Sequence, residues 1–406
     1  MSNYIISLNS LRLSVDTPFL PFSPPSNNQS EKIFTKVTAI VKDVYGKSVS
    51  GIKVFISDDS VGNLKKVKIF DSDQTKEINV VQQGGIEGFF VETDRSGNIL
   101  FFIYPFKAES VRMKLFSQVI GSTDPVIAKD IIYIANNIPE NMQADFIQPE
   151  IFDYSYGDLK SPGKKDFMVK IVPYNNVANG DSILFFVNNQ YTRHSIQIHD
   201  ESDLGSYSIP LPYAIFLENK LSRFFYVVIR ASGDMVASKS QTLDILYKGN
   251  EYNEPWTDVD RIYESCKVYS SYGVYPGSIV EEYTYIYDDI ISANNKEGLY
   301  VQITGTNDQN DTEHVTFGSE VTLNLYINSR QGHVTEHCTK RIPSVPDESG
   351  GNTATLTFNI PYDILKYNEA YPDKPGEIYF DYKVGSDNDD VTYGKIWQAK
   401  IDTDMK

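Results

Sequence analysis

Apolar and polar residues alternate along most of the chain in short runs broken by Gly, Asn, Asp and Pro, a period-two pattern that predicts strands rather than helices. The stretch 43–55, DVYGKSVSGIKVF, organises the N-terminal part. Asp43 and Gly46 read as a turn, Val49, Ile52, Val54 and Phe55 sit close to alternate spacing, and Gly46 and Gly51 supply the backbone freedom of a turn and a bulge, so a β-hairpin is predicted. Residues 5–15 read as a first strand, 16–30 as a Pro- and Asn-rich crossing loop, and 34–42 as a strand leading into the hairpin. Strands at 88–92 and 99–104 flank a tight turn at 94–98, and 111–119 closes the set.

Further along, the chain repeats itself. The segments 179–190 (NGDSILFFVNNQ), 207–216 (YSIPLPYAIF), 224–234 (FFYVVIRASGD) and 240–246 (SQTLDIL) follow the same order as 317–329 (FGSEVTLNLYINS), 357–365 (TFNIPYDIL), 377–389 (EIYFDYKVGSDND) and 395–402 (KIWQAKID). Each copy runs from Gly plus an acid through a strand, a Pro-Tyr-x-Ile element and an aromatic strand ending in a Gly and Asp turn, to a last strand, which predicts two homologous sandwiches. Pro212 and Pro361 fix φ and lack an N–H, so each belongs where the chain leaves a ladder. Ile215 and Phe216, or Ile364 and Leu365, then fold over the open end of the sandwich as a short helical plug, with Tyr213 and Tyr362 as structural residues.

In the N-terminal part, L-x-L-x-V-D at 11–16 is followed by V-T-A-x-V-K-D-x-x-G-x-x-V-x-G at 37–51, by Val54 and Phe55, and by T-D-x-x-G at 93–97. Over about the first 120 residues this order resembles the bacterial Ig-like module of the invasin and intimin type. The bulky segment 86–92, IEGFFVE, departs from the pattern. The resemblance implies an Ig-like sandwich and a role at a cell surface.

A chain of 406 residues is too long for one ordinary core. Residues 136–150 have the polar, Pro-punctuated composition of a linker, and 161–166 (SPGKKD) reads as a turn within the second domain. The expected fold is therefore all-β, with tandem Ig-like β-sandwiches at 1–135, 136–250 and 251–406, three in an elongated array. The 28 Tyr and 22 Phe fit strands better than helices.

Charge narrows the partners. At a net −17 with no run of Lys or Arg, the chain lacks the concentrated basic surface that nucleic acid or an anionic membrane requires. No window approaches about 18 uninterrupted apolar residues, so no transmembrane helix is expected. The N-terminus has no basic segment followed by an apolar run, so a location outside the cell or on its surface implies a leaderless route. Only Cys266 and Cys338 occur, which excludes a disulfide framework and leaves one bridge open.

Candidate chemistry is sparse. His333, His337 and Cys338 would suit a metal on a helix, but on a strand the two histidines lie roughly 13 Å apart and Cys338 points to the other face. His194 and His199 fall on opposite strand faces. No G-x-S-x-G, Walker or G-x-G-x-x-G sequence is present, so no catalytic residues, no enzyme and no cofactor are predicted. No metal site is expected beyond the oxygen-rich turns 57–59, 306–311 and 385–390, where Asp308, Asp311, Asp387 and Asp389 are calcium candidates, although Asn and Asp also favour turns for backbone reasons.

The third domain adds two features to the repeat: the Tyr-rich stretch 268–289 and the long loop PSVPDESGGNT at 343–353. Tyr269, Tyr272 and Tyr275 sit among Ser270, Ser271, Gly273, Pro276 and Gly277, which predicts an exposed loop and a ligand-binding surface, while Tyr283, Tyr285 and Tyr287 fall on one face of the next strand. The alternative is that these rings fill the core. The function that follows is non-enzymatic, adhesin-like binding of a host-surface protein or glycan, with a secreted toxin (for example insecticidal) or toxin component as the alternative and a carbohydrate-active enzyme third.

Overall fold

Strands are the main regular structure of the computed structural model, which describes residues 5–22, 33–106, 109–121, 123–136, 146–231, 238–308, 310–385 and 391–404. Among these, helices are short, Asp288–Ser292 and Tyr362–Leu365 being the two α-helices, and no helix is long and apolar enough to cross a membrane. The chain divides into two units: Met1–Asp158 with Met168–Leu211 and Ile215–Tyr247, and Leu159–Phe167 with Pro212–Ala214 and Lys248–Lys406.

In the first unit two sheets face each other. One runs Ser14–Val15, Thr35–Ile40, Asn98–Pro105, Val67–Phe70; the other runs Val126–Ile127, Leu115–Gln118, Lys53–Asp58, Ile86–Glu92, Val81–Gln83. The inward residues of both, among them Val37, Val54, Ile56, Phe89 and Phe101, form one core, with the rings of Phe89 and Phe101 edge to face at 5.1 Å.

This arrangement corrects the predicted hairpin at 43–55. Thr35–Ile40 pairs with Asn98–Pro105 in one sheet, whereas Lys53–Asp58 pairs with Ile86–Glu92 and Leu115–Gln118 in the other. The turn at Asp43 is real, since Asp43 Oδ1 accepts from the Tyr45 and Lys47 amides, but it is closed only by the bridge Lys42↔Ser48. Thr93 then redirects the chain. Its Oγ1 accepts from Ile52 N at 2.9 Å and donates to Val49 O at 2.9 Å, while Gly51, at φ +69, donates to Thr93 O. The stretch is thus a crossover between sheets. The turn at 94–98 is present, with Asp94 Oδ1 accepting from the amides of Ser96 and Asn98 at 2.8 Å.

The repeat is borne out strand for strand. Ser182–Val187 pairs on one side with Gln190–Gln197 and on the other with Leu221–Ile229, whose start pairs with residues 243–246. In the second unit, Glu320–Ser329 pairs with Gly332–Arg341 and with Gly376–Val384, which pairs with Trp397–Asp402. All these pairings are antiparallel. The plugs are present too, as a 3-10 turn at Tyr213–Ile215 and a helical turn at Tyr362–Leu365, with Tyr213, Phe216, Tyr362 and Leu365 buried. In the second unit a facing sheet that contains Lys267–Tyr269, Leu299–Thr306 and Thr353–Ile360 closes the core around Val301, Leu325, Phe358, Phe380 and Trp397.

The two copies differ on the outer face of the central pair. In the first, Leu184, Phe186, Phe225, Val227 and Ile229 are apolar and pack with Tyr133, Ala135 and Phe19, the rings of Phe19 and Phe186 lying 5.2 Å apart. In the second, the corresponding residues are polar. Asn324 Nδ2 donates to Asp381 Oδ1 at 2.8 Å, Asp381 Oδ2 accepts from Arg261 Nη2 at 2.8 Å, and Asn328 bonds to Asn253. A buried polar face is stable only when its groups are paired, and here the segment carrying Asn253 and Arg261 supplies the partners. The chain is all-β, its sheets packed face to face around buried apolar cores. The first unit holds most of what 1–135 and 136–250 span, and 137–145 of the predicted linker lie outside the described residues.

Candidate functional site

The segment after Lys267–Tyr269 is built as a closed loop. Strand Lys267–Tyr269 pairs with Ile279–Val280, so residues 270–278 leave the sheet and return to it. Ser270 N donates to Ser278 O at 2.8 Å, Gly273 N to Ser270 O at 3.1 Å and Ser278 N to Tyr275 O at 3.0 Å. Ser271, fully buried, ties the loop to the following helix: its N–H donates to Ile290 O at 2.9 Å and its Oγ accepts from Asn294 N at 3.2 Å. Gly273 takes φ +100, which a side chain would resist, and Gly277 leaves room for the Tyr275 ring, whose Cε2 would lie 2.8 Å from an added Cβ.

This scaffold presents Tyr272 and Tyr275, 57% and 48% exposed. Tyr269 is corrected. It is buried at the end of its strand, its phenol bonds to Gln302 Oε1 at 3.1 Å, and burial raises its pKa. The strand runs through Tyr269 rather than stopping before it, because pairing with Tyr300 on a distant strand holds Tyr269 in the sheet.

The following strand adds to the exposed aromatic surface. Tyr285 and Tyr287 point outward while Ile286 between them enters the core. Their rings stack at 5.4 Å with 4° between planes, and Lys400 Nζ lies 5.0 Å from the Tyr285 ring. Tyr283 precedes this strand in a left-handed conformation, φ 64, and is also exposed. Asp288, at the start of the helix, accepts from Tyr362 OH and Ser292 Oγ, both at 2.9 Å; burial, together with Asp288, pushes the Tyr362 phenol up to about 12. The second sequence feature, the loop at 343–353, is mostly exposed and is held by Asp347, which donates to Thr353 O and accepts from Thr355 Oγ1.

The calcium candidates spend their oxygens locally. Asp308 Oδ1 accepts from Asn310 N and Nδ2; Asp311 Oδ1 accepts from the amides of Glu313 and His314, and its Oδ2 faces His314 Nδ1 at 2.7 Å. Asp387 and Asp389 lie outside the described residues. In the third turn Asp58 Oδ1 accepts from Lys114 N at 2.7 Å and Oδ2 from Asn63 Nδ2 at 2.9 Å, while Asp59 pairs with Arg112. Among the described residues no three His, Cys, Asp or Glu side chains gather as a metal would need. His333 and His337 stand on a regular strand, each with its Nδ1 on a cross-strand Asn carbonyl, at 2.6 Å for Asn328 and 2.8 Å for Asn324. Both cysteines are free thiols, Cys266 buried and Cys338 exposed.

One feature escaped the sequence altogether. The first unit carries a cleft of about 1200 Å³ lined by charges of both signs, among them Arg12, Lys36 and Lys42 with Asp71, Glu77 and Glu92. No local pattern announces it, because strand pairing assembles it from distant positions.

No family model matches the chain, and no curated protein matches it either. Solved structures that resemble it include the D0-D1 domain of intimin, 11% identical over 58% of this chain and 97% of that one, with a TM-score of 0.23. Another is InvD of Yersinia pseudotuberculosis, 11% identical over 97% of this chain and 98% of that one, TM-score 0.20. A third is the fibronectin(III)-like modules of Clostridium thermocellum CbhA, 10% identical over 63% and 94%, TM-score 0.18. At these scores the architecture rests on the strand pairings themselves.

Proposed function

We propose that the protein is a non-enzymatic, adhesin-like binder whose three sandwiches, at 1–135, 136–250 and 251–406, serve as a scaffold for a tyrosine surface on the last of them. The observation that carries this reading is the pair Tyr272 and Tyr275, about half exposed on a loop whose backbone is bonded to itself and to the neighbouring helix. Solvent-exposed rings on an immobilised loop offer contact area without the entropy of ordering a flexible segment, which suits a glycan or a protein on a host surface. The stacked Tyr285 and Tyr287 supply further outward aromatic area. The first sandwich resembles the invasin and intimin type in its turn residues, in line with a surface role. A glycan array probed with the intact chain, alongside a binding and viability assay on candidate host cells, tests this. Binding without loss of viability is expected; absence of binding on both, or killing of the cells, contradicts it.

A further inference from the structure

The strand Gly332–Arg341 forms an edge of its sheet, and among the described residues no other strand pairs with its outer side. Edges are usually kept short, bulged or covered, because an unpaired row of N–H and C=O groups invites another strand. The equivalent strand of the first copy obeys that rule. Gln190–Gln197 loses register between Leu184 and Phe186, takes φ 68 at Arg193, and is engaged by its own unit: Arg193 donates to Val15 O, Asp16 O and Asp130 Oδ2, and Ser195 Oγ bonds to Tyr133 OH. Gly332–Arg341 follows it only at its start, where Asn253 Nδ2 donates to Val334 O and Asn253 Oδ1 accepts from Thr335 Oγ1. It pairs with Glu320–Ser329 at ten consecutive positions without a shift and is exposed over nearly its whole length.

Its sequence is self-complementary. In an antiparallel pair related by a twofold normal to the sheet, each residue keeps its face, so Glu336, Cys338 and Lys340, which alternate on one face, meet their own kind. A twofold through Cys338 sets Glu336 opposite Lys340 of the second copy and Lys340 opposite its Glu336, with His337 against Thr339 and Thr335 against Arg341. A centre at Glu336 sets Glu336 against itself, and a centre at His337 leaves no ion pair. Lys340 Nζ donates to Thr357 O at 2.8 Å and lies over Phe358, which holds the ammonium at the strand while leaving its other donors available. Arg341 is paired with Glu320 and is not needed for the register.

We infer that two copies of this chain associate edge to edge along Gly332–Arg341, antiparallel and centred on Cys338, joining their sheets into one. This occupant is a second copy because the charge pattern of the edge is complementary to its own reverse. Cys338 is the natural reporter, since the other thiol, Cys266, is buried.

The test combines sedimentation equilibrium of the intact chain with coupling of Cys338 by a short bismaleimide, which adds a thioether to each of two thiols without an oxidant. The wild type is expected to dimerise with concentration and to couple, and Cys338→Ser to dimerise without coupling. Glu336→Lys and Lys340→Glu, both exposed positions, are each expected to raise the monomer–dimer midpoint about tenfold, because two attractive cross-strand pairs become repulsive, and the combined swap to restore it. A wild-type chain that stays monomeric at its highest soluble concentration overturns the inference. So does a dimer whose midpoint ignores Glu336→Lys, or a combined swap that fails to restore the wild-type value. Unchanged melting curves confirm that the variants are folded.

Discussion

Arg261 Nη2 lies 2.8 Å from Asp381 Oδ2, and the Asp381 side chain is wholly buried on the outer face of the central sheet of the second repeat. The other carboxylate oxygen is held by Asn324, whose Oδ1 in turn lies 2.8 Å from His337 Nδ1, so residues from four separate segments form one satisfied polar chain. The first repeat fills the same face with apolar side chains, which shows that one strand topology accepts either solution provided every buried polar group is paired.

Removing one partner from such a pair strands the other. Arg261→Met is therefore expected to destabilise the second unit by about 3–5 kcal/mol. Replacing both, as Arg261→Met with Asp381→Leu, should recover much of the loss. Denaturant unfolding of the two variants checks this, and an equal loss in both would mean that the pair itself stabilises the fold.

Burial pushes the Asp58 carboxyl up to about 6, against the opposing hydrogen bonds from Asn63 and Lys114. A folded-state pKa above the unfolded value of 3.8 means that the native state holds the proton more tightly, so this group favours folding below about pH 4 and its contribution falls as pH rises towards 6. Asp71, held low by hydrogen bonds from its turn amides, and Asp94, held low first by the Asn98 side chain and then by the turn amides, act in the opposite direction. The comparison is thus made with Asp58→Asn: the stability of the wild type relative to that variant should drop between pH 4 and 6 by up to about 3 kcal/mol. A difference that does not change with pH would show that Asp58 titrates normally.

Burial also raises the pKa of the Cys266 thiol, with Asp381 adding to the effect, while Cys338 is exposed. A thiol reagent should modify one cysteine per native chain and both after denaturation. Protection of both in the native state at a concentration where the chain is monomeric would contradict the exposure of Cys338.

Period-two alternation made the strands legible, and comparison of the chain with itself made the repeat and its plugs legible, because both signals are local. What alternation could not show was partner choice. Residues 43–55 carry turn glycines and alternating apolar positions whether the two arms pair with each other or join opposite sheets, and the decision lies with Thr93, some 40 residues away. Tyr269 failed for a related reason: turn residues follow it immediately, but pairing with Tyr300 keeps it in the sheet. The exposed Tyr272 and Tyr275 followed directly from their Ser, Gly and Pro neighbours. The polar chain from His337 to Arg261 had no local signature, since nothing in a single strand marks an Asn or Asp as buried.

The surface role of the tyrosines is decided by comparing the wild type with a Tyr272→Ala, Tyr275→Ala double variant on the same glycan array and host cells, with melting recorded for each. If both rings are stacking contacts, the double variant should bind more weakly by about 1–3 kcal/mol at an unchanged melting temperature, whereas Tyr269→Ala should lower the melting temperature instead. Undiminished binding by the folded double variant would contradict the assignment of this loop as the binding surface.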